Sequence, residues 1–101
     1  MKTLDKYSST NRIHWNEVAS VHQEKYVNNL LRLIADENFT TFDFVEKKLF
    51  QQIQLSGMSV AQINCNNARE LISVKRAGAS RCVGFDISDE FIKQGEALKQ
   101  A

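Results

Sequence analysis

The sequence predicts an α/β fold, and three observations carry that expectation. Apolar residues recur at helical spacing through most of the first half. Two short runs, Met58–Cys65 and Arg81–Phe85, have strand character and are separated by a helical stretch. The second run ends on an acid, Asp86. The order over Val60–Asp86 is thus strand, tight loop, helix, strand, which is how two neighbouring strands come to lie parallel. In such folds ligands bind outside the carboxyl ends of the strands.

The elements follow in order. Residues 1–10 read as a polar, frayed lead. Asn11 is the expected N-cap of a first helix carrying Ile13, Trp15, Val18, Ala19 and His22. Trp15 is expected in the core, and a lone His22 is expected at the surface or in a cap. A second helix is predicted over about Glu24–Glu37, with Tyr26, Leu30, Leu33 and Ile34 as its apolar stripe. The Asn-Phe-Thr-Thr stretch at 38–41 breaks it. Thr40 with Asp43 has capping-box spacing and would start a third helix running to Leu55. Phe42, Val45, Leu49 and Ile53 would form its buried face.

Ser56-Gly57 is a turn into the first strand, which Gln62 interrupts. Asn67 with Glu70 is a second capping-box spacing, so the crossover helix is expected to begin there. It carries Leu71, Ile72 and Val74 and stops at Gly78, a natural residue just past a helix end. Arg81–Phe85 is the second strand. Ser88 caps a last helix whose first turn holds Asp89 and Glu90, acids that suit the positive end of the helix dipole. Phe91, Ile92 and Leu98 would be its buried side.

Length and composition bound the function. A chain of 101 residues makes one domain at most. It divides into an N-terminal helical segment, 1–57, and an αβ segment, 58–101. Charge is balanced in both, with seven basic and seven acidic residues in 1–57 and six and five in 58–101. No basic patch points to nucleic acid or to an anionic membrane. No apolar run approaches the ~20 residues of a membrane span, and the first ten residues lack an apolar signal core. Cys65 and Cys82 have no CxxC spacing, so reduced thiols in a cytoplasmic protein are expected, with no disulfide framework or metal site.

The residues that could carry chemistry sit at the strand ends. Between Gly57 and Gly78 there is no glycine, so neither a G-x-G-x-x-G pyrophosphate turn nor a P-loop is present. That disfavours a nicotinamide-dependent enzyme. Asn64, Asn66 and Asn67 still suit a tight turn, because asparagine enters the left-handed backbone region more readily than other residues with a Cβ. Asp86 lies 22 residues after Asn64, the spacing at which an acid takes ribose hydroxyls. Its carboxylate is expected to be solvated. Together these features fit a ligand that has a ribose and lacks a pyrophosphate; a turn role for Asp86 and ordinary loop and capping roles for the asparagines are the alternatives.

The stretch VAQINCNNARELISVKRAGASRCVGFDISDEFIKQGEAL resembles the S-adenosylmethionine-binding segment of class I methyltransferases. There, a hydrophobic strand and an acid lead into a Gly-x-Gly-x-Gly loop, and a later GxDxS carries the ribose acid. Gln62 stands at the position of the first acid, and Asn64, Asn66 and Ala68 at those of the three glycines. Gly84, Asp86 and Ser88 match the second signature. One branch, with a "CNNG-RELLS" loop and "VGFDIS", is more similar still, and NRIHWNEVASVH resembles its N-terminal segment. The resemblance spans Asn11–Leu98 and implies a Rossmann-like sheet with S-adenosylmethionine as cofactor. The implied contacts are Gln62, Asn64, Cys65, Asn66, Arg69, Asp86 and Ile87; Arg69 could reach the methionine carboxylate, with an ion pair to Glu or Asp as the expected alternative. Gln62 supplies no negative charge, and Ala68 adds a methyl where backbone and ligand approach.

The resemblance also implies a domain about twice this length, so the chain is expected to be its N-terminal portion. The methyl acceptor, expected to be a small molecule, is not identified. A two-stranded parallel sheet leaves exposed edges, which makes self-association the alternative role: a non-catalytic interaction module.

Overall fold

The computed structural model describes the backbone of residues 2–101 and side chains from residue 5 onward. The first half is a rod. Helix α1 (Lys2–His22) runs into a single π-helical stretch, Gln23–Val27, and on into α2 (Asn28–Ala35). His22 and Asn28, on either side of the π stretch, keep right-handed helical torsions. The sequence explains the continuity: there is no glycine before Gly57 and no proline anywhere, so nothing stops the helix. Two expectations are corrected. Residues 2–10 are helical, not a frayed lead, and Asn11 lies inside α1 and caps nothing. The Thr10 hydroxyl donates to the Lys6 carbonyl, 2.9 Å, which satisfies it within the helix. The two helices expected on either side of residue 23 form one rod, which ends where Asp36 turns extended and its carboxylate accepts the Asn38 N–H.

Helix α3 (Phe44–Gln52) starts later than the Thr40–Asp43 spacing suggested. Asp43 is the cap: its Oδ1 accepts the Glu46 N–H at 2.8 Å, and Glu46 Oε1 accepts the Asp43 N–H at 3.3 Å. Asp43-x-x-Glu46 has the longer side chain that can reach back, whereas Thr40 accepts the Phe42 N–H in a local turn. The expected buried face of α3 is also corrected, since Val45, Leu49 and Ile53 are exposed. Phe42 and Phe50 stack instead, 4.7 Å between ring centroids, and pack on the Leu55–Val74–Ala79 core with Val60 and Cys82.

Strands β1 (Ser59–Ile63) and β2 (Arg81–Phe85) pair in parallel, Ser59 opposite Arg81 through Ile63 opposite Phe85. Helix α4 (Arg69–Arg76) is the crossover between them, and α5 (Asp89–Gln100) follows β2. The mixed α/β class is therefore as expected, mostly helical with a small parallel sheet. Gly84 faces α4. A Cβ built on it would lie 2.7 Å from Cys65 Sγ and 3.1 Å from Leu71 Cδ2, so glycine lets the loop and helix close on β2. The opposite sheet face is bare: Ile63 is 77% and Phe85 56% exposed.

Polar struts tie the helical rod to the αβ unit. Arg76 donates to the carbonyls of Ile34, Asp36 and Phe39, which serves the C-terminal end of α2. The Thr41 N–H donates to Ser73 Oγ at 2.9 Å. Residues 1–57 and 58–101 thus pack into one body, with Leu55 sharing a core with Val74 and Ala79. Among the described residues no helix is long and apolar enough to cross a membrane.

Candidate functional site

The loop between β1 and α4 has an unusual backbone. Asn64, Asn66 and Ala68 all have positive φ, 58°, 52° and 62°. Asparagine at the first two lowers the steric cost, and Ala68 bears it in full. Asn67 was the third asparagine expected to use this region; Ala68 does so instead. Asn67 is also not the cap of α4, which corrects the second capping-box reading. Ala68 takes the cap position in left-handed conformation, and no side chain caps the helix. The Asn67 side chain is fully buried and engaged elsewhere: its Nδ2 donates to Gln94 Oε1, and its Oδ1 accepts from Arg69.

Asp86 closes the other side of the site. Its Oδ2 accepts the Asn66 N–H at 2.8 Å, and its Oδ1 accepts the Ser88 N–H at 2.9 Å. The solvated strand-end acid expected from sequence is instead half-buried and holds two backbone segments. A carboxylate offers about four lone-pair sites. With two used, each oxygen keeps capacity for an incoming hydroxyl.

The other candidates divide. Asn64 is exposed beside the loop, and Ile87 is half-buried between Asp86 and the α5 cap. Cys65 is buried, its sulfur against Gly84 and within reach of the Asn66 carbonyl at 3.6 Å. Burial first, and then the nearby Asp86 charge, push its thiol pKa up. That makes it an unreactive packing residue. Arg69 lies along its own helix, with Nε 3.3 Å from Glu70 Oε1 and Nη1 on Asn67. Gln62 projects from β1 with its Oε1 buried and without a partner. A buried acceptor of this kind is uncommon.

Two residues at the site had gone unread, Asn16 and Gln94. Asn16 on α1 reaches α5, where its Oδ1 accepts the Ser88 hydroxyl at 2.5 Å and the Glu90 N–H at 3.3 Å. Gln94 bridges α1 and the loop: its Nε2 donates to the Ala19 carbonyl at 2.7 Å, and its Oε1 accepts from Asn67. A signal for Gln94 existed, because it is the polar member of the Phe91–Gln94–Leu98 stripe on the buried side of α5. His22 sits against Phe91, 5.9 Å between centroids, with Nδ1 buried and unpartnered. Surface or capping placement is therefore corrected for His22. Core placement is corrected for Trp15, which is 43% exposed.

A groove of about 390 Å³ runs between α4, β2 and α5, lined by Leu71, Ile72, Gly84, Ile92 and Gly95. It lies on the helical side of the sheet and reaches the loop after β1, where Cys65, Asn66 and Ala68 also line it, while Asp86 does not. Among the described residues no three His, Cys, Asp or Glu side chains form a metal-holding group. No family model, curated protein or solved structure matches the chain.

Proposed function

We propose that the chain is the S-adenosylmethionine-binding portion of a class I methyltransferase, its N-terminal part, acting on a small-molecule acceptor. One observation carries this reading. The three positions that correspond to the family's loop glycines, Asn64, Asn66 and Ala68, all have the positive φ that glycine adopts freely, and Asp86 is hydrogen-bonded to the middle one. The fit to the cofactor rests on two further points. Asp86 retains acceptor capacity on both oxygens, suited to a ribose diol. Gln62 holds a buried oxygen that lacks a donor.

S-adenosylmethionine, when bound, supplies the activated methyl group for an in-line displacement. The chain's own residues would do positioning. Asp86 would hold the ribose hydroxyls, and the loop at 64–68 would bring backbone close to the ligand. Arg69 would need to leave Glu70 to meet the methionine carboxylate, so its contribution costs an ion pair that is itself half-exposed and weak. No general base is assigned.

Calorimetric titration of the 101-residue chain with S-adenosylhomocysteine and NAD tests the reading. Weak binding of S-adenosylhomocysteine in preference to NAD is expected. Tighter binding of NAD, or binding of neither, overturns it.

A second reading, an interaction module that pairs through its sheet, is favoured by the bare face at Ile63 and Phe85 and by the two unpaired strand edges among the described residues. Light scattering decides it. Concentration-dependent growth in mass that Ile63→Lys abolishes supports this role, and a monomer at all concentrations removes it.

A further inference from the structure

We infer that Asn16 is a positioning residue for the strand-end site, acting from α1 through a four-member hydrogen-bond chain. The inference rests on the proposed reading of that site. The chain begins at Asn16 Oδ1, which accepts the Ser88 hydroxyl. The Ser88 N–H donates to Asp86 Oδ1, and Asp86 Oδ2 accepts the Asn66 N–H. Four residues from α1, the α5 cap, the end of β2 and the loop after β1 are thereby joined. No two of the four lie on the same element.

The chemistry of each link gives the relay a direction. Ser88 Oγ accepts the Phe91 N–H as the α5 cap, so its single proton goes to Asn16. That fixes the hydroxyl rotor, and with it the turn that presents the Ser88 N–H to Asp86. Asn16 also accepts the Glu90 N–H, so one carbonyl oxygen gathers two donors at the start of α5. With Asn16 removed, Ser88 keeps its capping bond but its buried hydroxyl proton loses its acceptor. The Ser88 N–H is then free to drift from Asp86 Oδ1. A carboxylate held at one oxygen can rotate, and rotation withdraws Oδ2 from Asn66 and spoils the paired acceptors that a diol needs.

A second connection joins α1 to the same loop. Gln94 donates to the Ala19 carbonyl and accepts from Asn67, with both side chains buried. Asn16 and Ala19 are adjacent along one face of α1, since residues three apart share a face. The rod is thus fastened to both halves of the site: to Asp86 through Asn16, and to the loop through Ala19. Reciprocity follows, because a ligand that holds Asp86 and the loop in this geometry also holds α1 down.

The test compares the wild-type chain with Asn16→Ala and Asn16→Asp. Alanine is a strong helix former, so α1 survives it. Aspartate keeps the accepting oxygen for both the Ser88 hydroxyl and the Glu90 N–H. Should Asn16→Ala fail to fold, Asn16→Gln, which moves the oxygen by one methylene, takes its place. Two quantities are measured: the affinity for S-adenosylhomocysteine, and amide exchange at Asn66 in the ligand-free protein. Asn16→Ala should weaken binding roughly tenfold and speed Asn66 exchange by a similar factor, the worth of about one hydrogen bond. Asn16→Asp should return both to within about twofold of wild type. Unchanged Asn66 exchange in Asn16→Ala, or failure of Asn16→Asp to restore it, overturns the inference. If the wild type binds no S-adenosylhomocysteine, the proposed function falls, and Asn66 exchange alone still decides whether Asn16 governs the loop.

Discussion

The carboxylate of Asp86 accepts the backbone N–H of Asn66 at 2.8 Å, and this bond ties the end of β2 to the loop after β1. The same carboxylate accepts the Ser88 N–H at 2.9 Å. Asp86→Ala therefore strips two half-buried donors of a charged partner. Hydrogen bonds to a charged group are worth ~1.5–3 kcal/mol each, and partial exposure lowers the sum, so a loss of about 2–4 kcal/mol is expected. Asp86→Asn should be nearly as costly, because its amide NH₂ meets one of the two N–H donors head-on. Urea denaturation checks both. A loss below ~0.5 kcal/mol, the scale of an ordinary surface substitution, would mean the two bonds hold nothing.

Ala68 is the strained member of the loop, with φ 62° and ψ 20°. Left-handed backbone costs a residue with a Cβ about 1–2 kcal/mol, while glycine loses about 0.5–1 kcal/mol more conformational entropy on folding. The difference predicts that Ala68→Gly stabilises the chain by ~0.5–1 kcal/mol. It should also tighten S-adenosylhomocysteine binding, since a methyl leaves the place where ligand and backbone approach. A lower denaturation midpoint for Ala68→Gly would show that the Ala68 methyl contributes packing worth more than the strain.

Gly84 makes the opposite prediction. Its added Cβ would meet Cys65 Sγ at 2.7 Å and Leu71 Cδ2 at 3.1 Å, and both of those side chains are buried. Neither neighbour is the free end of a flexible chain, so the loop or α4 must move. Gly84→Ala should cost about 1–3 kcal/mol by overpacking. Gly84→Ala with Cys65→Ala should recover most of that, because the closest clash is with the sulfur. Additive losses in the double variant would place the strain elsewhere.

The αβ half was legible because its signals are local. Gly78 has positive φ just past α4, the Ser88 hydroxyl accepts the Phe91 N–H, and Arg81–Phe85 is the strand that its apolar run describes. The helical half was less legible because its boundaries depend on what is absent. Asn11 and residue 23 read as starts and stops, yet neither carries a breaker, and a helix without one continues. The exposed face of α3 was illegible for another reason. Amphipathic spacing at Val45, Leu49 and Ile53 states that a face is apolar and says nothing about what covers it. At the site, the spacing of Asn64 to Asp86 was readable. The reach of Asn16 to Ser88, across 72 residues of sequence, is a product of how α1 packs on α5.

His22 supplies a pH dependence whose sign follows from its surroundings. Its imidazole pKa is lowered from 6.5, chiefly by burial and then by the Arg69 charge, with the neighbouring Gln94 side chain opposing the shift. The folded chain therefore holds fewer protons than the unfolded chain in the window below 6.5. By linkage, the stability this residue contributes is complete above 6.5 and is lost as pH falls through the lowered folded value. The groups that face it are Tyr26 from the π stretch, Phe91 and Gln94 from α5, and Arg69 from α4. Arg69 is the charged member, so protonation adds a second cation within reach of its charge, where α1 packs on α5. His22→Gln removes the titration and keeps polar capacity. Between pH 7 and 5.5 the denaturation midpoint of the wild type should fall more steeply than that of His22→Gln, and α1 amides should show the extra loss first. Parallel pH profiles for the two proteins would mean that His22 takes up its proton in the folded chain without cost.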